Sequence, residues 1–148
     1  MPTRPSPLDD PLITTFGRLL EATTSLERRL GRTIESETDL PFTWFEVLLR
    51  VARSEGGRLM MSELSQQLAL TTGGVTRLVD RIVEAGYLER VPAEHDRRVM
   101  YAVVTGEGRA VVERAATVHA AELAGLFGGF SATDLARLDA LLDRLRGI

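Results

Sequence analysis

Three things are missing from this sequence, and each absence excludes a class of chemistry. There is no cysteine, which excludes disulfide bonds, thiolate metal sites and redox sensing through a thiol of this chain. Lysine is also absent, so all 18 basic residues are arginine, and any contact with an anion uses the planar guanidinium that suits phosphates and guanine edges. The formal net charge of −3 provides no general attraction to a polyanion. Whether the chain binds nucleic acid therefore depends on where the arginines lie.

Long apolar runs are missing as well. No stretch approaches the roughly 20 apolar residues that a membrane-spanning helix needs, and the N-terminal sequence MPTRPSPLDDP has no apolar signal core. We therefore expect a cytoplasmic protein with a short disordered tail over residues 1–11. With 148 residues, the chain is long enough for one domain, or a compact pair of subdomains, with a substantial core.

The two ends of the chain have the pattern of long amphipathic helices. Apolar residues at helical spacing predict a first helix over residues 12 to about 35. Near the C-terminus, Thr105 is expected to cap one helix, and Ser131 with Asp134 to cap the last one. That last helix places leucine at three- and four-residue intervals, at positions 135, 138, 142 and 145. Such a face needs a partner surface, either a second chain or an intramolecular bundle.

The next segments predict a second helix and then a helix-turn-helix. Thr43 and Glu46 have the spacing of a capping box, which predicts a helix from Trp44 to about Ser54 that ends at two glycines, residues 56–57. A short helix capped by Ser62 follows, and after a two-residue link comes a helix capped by Thr72 and ended by Gly86. Two helices joined by so short a link cannot lie parallel, and the second can enter a DNA major groove. The inward stripe of these helices is predicted to contain Leu64, Leu68, Val75, Leu78, Val79, Ile82 and Val83.

The start of the second helix of this pair has the composition of a DNA-contacting surface. Small hydroxyl and glycine residues let the backbone approach closely, and the unpaired N–H groups of a first helical turn favour phosphate. The arginines lie on the face opposite the apolar stripe, where they can touch base edges and phosphates. The candidates are Thr71, Thr72, Gly73, Thr76, Arg77 and Arg81. The alternative is an ordinary capped helix with its arginines in solvent.

The segment EHDRRVMYAVVT changes from a charged loop to a strand in the middle. With YLERV before it, this segment predicts a hairpin directly after the recognition helix, a so-called wing. Arg97 or Arg98 at the wing tip can reach the neighbouring minor groove, which attracts arginine where it is narrow. Asp96 can anchor one arginine of the loop or of the recognition helix before DNA is bound. The alternative is a solvated turn with a weak ion pair, and we interpret His95 as an exposed loop residue.

At this point the chain resembles a known family. The segment MSELSQQLALTTGGVTRLVDRIVEAGYLERVPAEHDRRVMYAVVTGEGR is similar to the winged-helix core of the MarR (multiple antibiotic resistance regulator) family of transcription factors, and the flanking helices have the family's order. The fold class is therefore predicted as mainly α with a small β-hairpin. Residues 42–104 would form the winged helix-turn-helix domain, and residues 12–41 with 105–148 a helical dimerisation domain.

The resemblance implies a cytoplasmic homodimer that binds double-stranded DNA at a pseudo-palindromic operator, with recognition helices about 34–36 Å apart. Ser62, on the matching short helix, joins the predicted DNA-binding residues. Regulators of this family commonly repress transcription and are released by a small, often aromatic or phenolic, effector. Phe16, Arg18 and Trp44 are the candidate effector residues, although Trp44 also fits plain core and Arg18 plain surface.

Other classes of function find less support in the sequence. Peroxide sensing by thiol oxidation would need cysteine, and a metal-sensing site would need clustered ligands, whereas the two histidines, His95 and His119, are far apart. No catalytic constellation, phosphate loop or cofactor motif is legible, so we expect neither an enzyme nor a cofactor. A winged-helix module that binds another protein is the remaining alternative.

Overall fold

The computed structural model describes residues 6–68 and 70–147, and within them the chain is mainly helical with one three-stranded antiparallel sheet. The predicted fold class is confirmed, although the sheet has one strand more than the predicted hairpin. The elements are α1 (Pro11–Thr38), α2 (Phe42–Arg53), β1 (Arg58–Met60), α3 (Met61–Leu68), α4 (Thr72–Glu84), β2 (Leu88–Pro92), β3 (Met100–Val104), α5 (Gly106–Phe127) and α6 (Ala132–Arg146).

The N-terminal helix begins where its sequence allows a good cap. Asp10 accepts a hydrogen bond from the N–H of Leu12 at 2.8 Å, and Pro11 occupies the first helical position, where no backbone donor is needed. Before it, Pro7–Asp9 form one 3-10 turn. The first five residues of the predicted tail lie outside the described residues.

The predicted capping box at the start of the second helix is wrong. Helix α2 begins at Phe42, its N-cap is Pro41, and no side chain caps it. The helix therefore begins before Thr43, and the N–H of Phe42 in its first turn donates to the Glu35 carboxylate of α1 at 3.2 Å. The helix ends at Arg53, and the two following glycines, Gly56 and Gly57, adopt φ of 67° and 66°, in the left-handed region that favours glycine.

Two further caps fall one residue or more from their predicted positions. Thr71, not Thr72, caps α4, because its hydroxyl accepts from the N–H of Gly74 at 3.1 Å, the N3 position that a capping side chain reaches. Ser62 lies inside α3, where the carboxylate of Glu63 accepts from the N–H of Met60 at 3.2 Å. The predicted stop of α4 is confirmed, since Gly86 has φ 84°.

Strand β3 is the centre of the sheet, with β2 and β1 paired antiparallel on its two sides. The β2–β3 hairpin is the predicted wing. The residues directly before α3, where the sequence favours a short strand, form β1 and pair with β3 through Leu59 opposite Ala102. Ala102 is fully buried, so the face that carries it packs on the helices.

The core lies between α2, α4, α5, the end of α1 and the inner face of the sheet. From the predicted inward stripe, Leu64, Val75, Val79 and Ile82 are buried, while Leu68, Leu78 and Val83 are partly buried against them. The stripe is therefore confirmed. It fixes the rotation of α4 about its axis and so decides which of its residues face solvent.

A tight joint fixes α5 to the turn that follows α4. The Thr105 hydroxyl donates to the carbonyl of Gly86 at 2.6 Å and accepts from the N–H of Gly108 at 3.0 Å, which confirms it as the cap of α5. Gly108 lies directly against the carbonyl of Tyr87, where an added Cβ would overlap the oxygen. Only glycine fits this close approach between the winged helix and the helix that leads out of it.

The terminal helices leave apolar side chains in solvent. The Ser131–Asp134 capping box at the start of α6 is confirmed, yet α6 buries none of its residues in the chain. The large exposed apolar side chains of α1 and α6 are Leu12, Ile13, Phe16, Leu19, Leu20, Leu135, Leu138, Leu141, Leu142 and Leu145. None of the helices in the described part of the chain combines the length and apolar character of a membrane span.

Candidate nucleic-acid interface

The N-terminal half of α4 presents a polar face to solvent. Most of the predicted contact residues on α4 are exposed, and Thr76 is half-buried. Gly73 has open space where a Cβ would be, so its backbone is accessible to a large partner. The exposed residues are Thr71, Thr72, Gly73, Arg77 and Arg81.

Two shallow grooves join this face to its neighbours. One, of about 540 Å³, runs between α3 and the start of α4 and is lined by Ser62, Thr71, Thr72 and Thr76 among others. The second, of about 380 Å³, is lined by Ser62 and Thr76 again and extends to Arg98 of the wing. The start of α3, the face of α4 and the base of the wing therefore form one continuous surface.

Asp96 anchors the wing through the arginine two residues after it. Its carboxylate accepts from Nε and Nη2 of Arg98 at 3.1 and 3.2 Å, and from the backbone N–H of Arg98 at 3.0 Å. These bonds favour the ionised carboxylate and lower the pKa of Asp96 below its ordinary value, the side-chain bond contributing most. The base of the loop is closed by the N–H of Ala93, which donates to the carbonyl of Val99 at 2.8 Å.

The anchor divides the two predicted wing arginines between two roles. Arg98 is paired with Asp96, whereas Arg97 is exposed and forms no ion pair within residues 6–68 and 70–147. Arg97 is thus the side chain at the wing corner whose charge is available to an external anion. His95 beside it is exposed, as expected.

This arrangement can be compared with known proteins. A family model described as MarR family matches residues 38–99. The multiple antibiotic resistance protein MarR of Salmonella typhimurium is 30% identical over 99 residues, covering 67% of each chain. The chain belongs to the MarR family. It is a transcriptional regulator by that membership.

Solved structures of MarR proteins share the fold over nearly the whole chain. The MarR regulator AbsC from Streptomyces coelicolor has a TM-score of 0.80 and 26% identity, covering 99% of this chain and 100% of that one. A cysteine-to-serine mutant of MarR from Escherichia coli, complexed with operator DNA, has a TM-score of 0.75 and 28% identity, covering 90% and 94%.

The sequence reasoning missed one residue of this MarR fold, Arg90 on β2. Its Nη2 atom donates a hydrogen bond to the carbonyl of Thr76 at 3.1 Å and forms an ion pair with the Asp80 carboxylate at 2.9 Å, both on α4. The sequence did contain an indication of this role. Arg90 lies two residues after Leu88 in a strand, so both side chains are on the inward face. An inward-facing arginine next to a helix that carries an aspartate predicts such a bridge.

The local charge is balanced by these pairs. Residues 71–101 contain five arginines and five acidic residues. Two of the arginines, Arg90 and Arg98, form ion pairs within the chain with Asp80 and Asp96. In the described part of the chain, the remaining three, Arg77, Arg81 and Arg97, have no ion pair. They are the cationic groups that this surface offers.

The predicted effector residues do not share a pocket within one chain. Trp44 is half-buried and packs edge-on against Tyr87, with ring centroids 6.4 Å apart. Phe16 and Arg18 are exposed near the start of α1, and Phe16 lies about 22 Å of helix before Gly31, the α1 residue packed against α2.

A different cleft, of about 490 Å³, lies between α2, α5 and α6. Its wall contains aromatic rings and arginines, and burial lowers the pKa of His119 at its side. The lining residues include Phe42, Phe45, Glu46, Arg50, Arg53, His119 and Arg146. Burial also raises the pKa of Glu46, against the opposing charge of Arg50.

Proposed function

We propose that this MarR-family chain is a transcriptional repressor that binds double-stranded DNA as a homodimer at an inverted-repeat operator. The continuous surface formed by the start of α3, the exposed face of α4 and the wing carries the proposal. On it, the three unpaired arginines project from two elements that are placed to enter neighbouring grooves. The complex of the Escherichia coli MarR mutant with operator DNA supports this reading.

The contacts divide by position on the surface. Helix α4 lies in the major groove, where Arg77 and Arg81 reach base edges and phosphates. Arg97 at the wing corner reaches the adjacent minor groove, where a narrow groove concentrates negative potential. The residues near the backbone of the DNA, which position the protein and carry little sequence information, are Ser62, Thr71, Thr72, Gly73 and Thr76.

A second copy of the chain is the proposed partner of α1, α5 and α6. The chain leaves large apolar side chains of α6 and of the N-terminal half of α1 exposed, and exposed apolar patches mark protein–protein interfaces. A dimer through these helices assigns residues 12–41 and 105–148 to dimerisation and residues 42–104 to DNA binding. The two-fold axis then places the recognition helices about one DNA turn apart.

Release by a small aromatic or phenolic effector is the regulatory part of the proposal. Phe16, Arg18 and Trp44 remain its predicted residues. The cleft between α2, α5 and α6 is a second candidate, since Phe42 and Arg53 line it and would stack against a ring and pair with an anionic group. A reporter assay in which benzoate or phenol relieves repression tests release, and unchanged repression contradicts it.

Selection of DNA by the purified chain tests the central proposal. Genomic fragments retained by the wild-type protein should share an inverted repeat, and light scattering should show a dimer on each fragment. Fragments without a common repeat would contradict operator binding. Retention of a protein partner through α4 and the wing, with no DNA, would favour the protein-binding module instead.

A further inference from the structure

Helix α4 and the wing are joined covalently only at the turn around Gly86, at the C-terminal end of α4, whereas most of the proposed DNA contacts on α4 lie in its N-terminal half, with Arg81 farther along. Within the described residues, the bond from Nη2 of Arg90 to the carbonyl of Thr76 is the only side-chain hydrogen bond between α4 and the sheet, and the same atom pairs with Asp80. In addition to the apolar packing of α4 on the sheet, this guanidinium therefore connects the recognition helix to the strand that leads into the wing.

The two contacts of Arg90 define a specific position on α4. Nη2 donates to the carbonyl of Thr76 at 3.1 Å and pairs with the carboxylate of Asp80 at 2.9 Å, one helical turn apart. Thr76 lines the same groove as Arg90 and Arg98. At its other end Arg90 is held opposite Ala102 in the sheet register. Both contacts on α4 are made by the same nitrogen, so Arg90 holds the strand at a fixed distance from one turn of the helix.

The burial of Arg90 argues against a role in stability alone. Its Nε is buried with no hydrogen-bond partner in the described part of the chain, and a buried unpaired N–H destabilises the folded state. The pair with Asp80 is partly exposed, and such pairs contribute little to stability. An apolar side chain would fill this space at lower cost, but it would not hold Thr76 and Asp80.

We propose that Arg90 is a positioning residue that holds the recognition helix and the wing at a fixed separation, so that Arg77 and Arg97 reach their DNA grooves together. This inference rests on the proposed function. In this role Arg90 acts through its contacts with Thr76 and Asp80 on α4. Without it, α4 still docks through its own residues, but the wing corner no longer falls on the adjacent minor groove.

A double-mutant cycle tests this role. The probe is a DNA duplex selected from a random-sequence pool by the wild-type chain, and affinity is measured by titration. We expect Arg97→Ala to weaken binding on the order of tenfold in the wild-type background and by less than about twofold in an Arg90→Met background. Arg77→Ala is the matched control, and its loss should be the same in both backgrounds.

A second variant guards against misfolding. Asp80→Asn removes the ion pair with Arg90 by changing its exposed partner on α4. This substitution should likewise abolish most of the effect of Arg97→Ala on DNA affinity. If Arg90→Met does not fold, judged by circular dichroism, the Asp80→Asn cycle alone decides. An equal loss from Arg97→Ala in all backgrounds would overturn the positioning role and leave the proposed function intact. A wild-type chain that selects no duplex would overturn the proposed function and this inference with it.

Discussion

The central winged helix and the terminal helices differ in how far their apolar side chains are buried within one chain. In α4, the apolar stripe is buried against α2 and the sheet, and the exposed face is polar. In α6, leucines 135 to 145 are 36–55% exposed, although the helix is well capped. The contrast shows that the apolar stripe of α4 is covered within one chain, whereas α6 and the N-terminal half of α1 have an apolar face that one chain does not cover.

The largest effect is expected at the joint between the two regions. Gly108→Ala should destabilise the fold by about 3 kcal/mol, because its Cβ would overlap the carbonyl of Tyr87 in a close-packed interior. Gly125→Ala, in the same helix with open space around it, should instead stabilise by about 0.5–1 kcal/mol. Urea unfolding of both variants measures the difference. Equal stabilities would show that the joint is looser than the structure indicates.

Introducing charge into the apolar face of α6 should prevent dimerisation without unfolding the winged helix. Replacing Leu138 and Leu142 by glutamate is expected to convert a dimer into a monomer, because two carboxylates cannot be buried unpaired in an apolar interface. The winged helix should keep its circular dichroism spectrum. Val91→Glu, at a similarly exposed apolar position on the wing, is the matched control. Light scattering that finds the double variant still dimeric would refute the role of this face.

Loss of single arginines tests the polar region alone. Arg97→Ala and Arg77→Ala should each weaken operator binding by about 1–3 kcal/mol, with the dimer intact. Arg18→Ala, on the exposed surface of α1, is the control and should bind as the wild type does. An unchanged affinity for Arg97→Ala in a gel-shift titration would remove the wing from the interface.

The salt dependence of binding should be shallow for a DNA-binding protein. Three unpaired arginines per chain give six per dimer, so the slope of log K against log salt should be about −5. A slope steeper than about −10 would contradict a contact surface that relies on arginine placement in a neutral region. Titrations at several salt concentrations measure it directly.

The smallest effect is a pH dependence of stability through His119. Burial lowers its pKa below the ordinary 6.5, so the unfolded chain takes up a proton that the folded chain resists. Stability should therefore be unaffected above pH 6.5 and fall as the pH drops below it, until the folded pKa is passed. In His119→Gln, the midpoint of thermal unfolding should therefore depend less on pH over that range.

Glu46, in the same cleft, acts in the opposite direction. Its pKa is raised, so protonation on acidification favours the folded state. Glu46→Gln should therefore steepen the acid-side decline. A His119→Gln profile identical to the wild type would remove His119 as the cause.

The sequence predicted local features well where one residue decides them. Gly86 and Thr105 were placed correctly, because a positive φ and an N3 hydrogen bond each depend on a few neighbouring residues. Prediction failed at Thr72, since two adjacent threonines can both cap and only the packing of α4 selects Thr71. It failed at Thr43 because α2 begins one residue earlier, at Phe42, whose N–H donates to Glu35 of the neighbouring helix α1.

The candidate site was predictable in outline and not in its internal pairing. The exposed arginines of α4 follow from helical periodicity. The assignment of Asp96 to Arg98 instead of an arginine of α4, and the bridge from Arg90 to α4, depend on how the hairpin packs. The effector residues were the least predictable, because Phe16 and Trp44 are brought together by no element of a single chain.

Hydroxyl-radical footprinting on a duplex selected by the wild-type chain tests whether a dimer reads neighbouring grooves with α4 and the wing. It should show two protected regions one helical turn apart, each with a flanking minor-groove patch that disappears in Arg97→Ala. Protection confined to one region, or flanking patches that persist without Arg97, would contradict a dimer that reads neighbouring grooves with α4 and the wing corner.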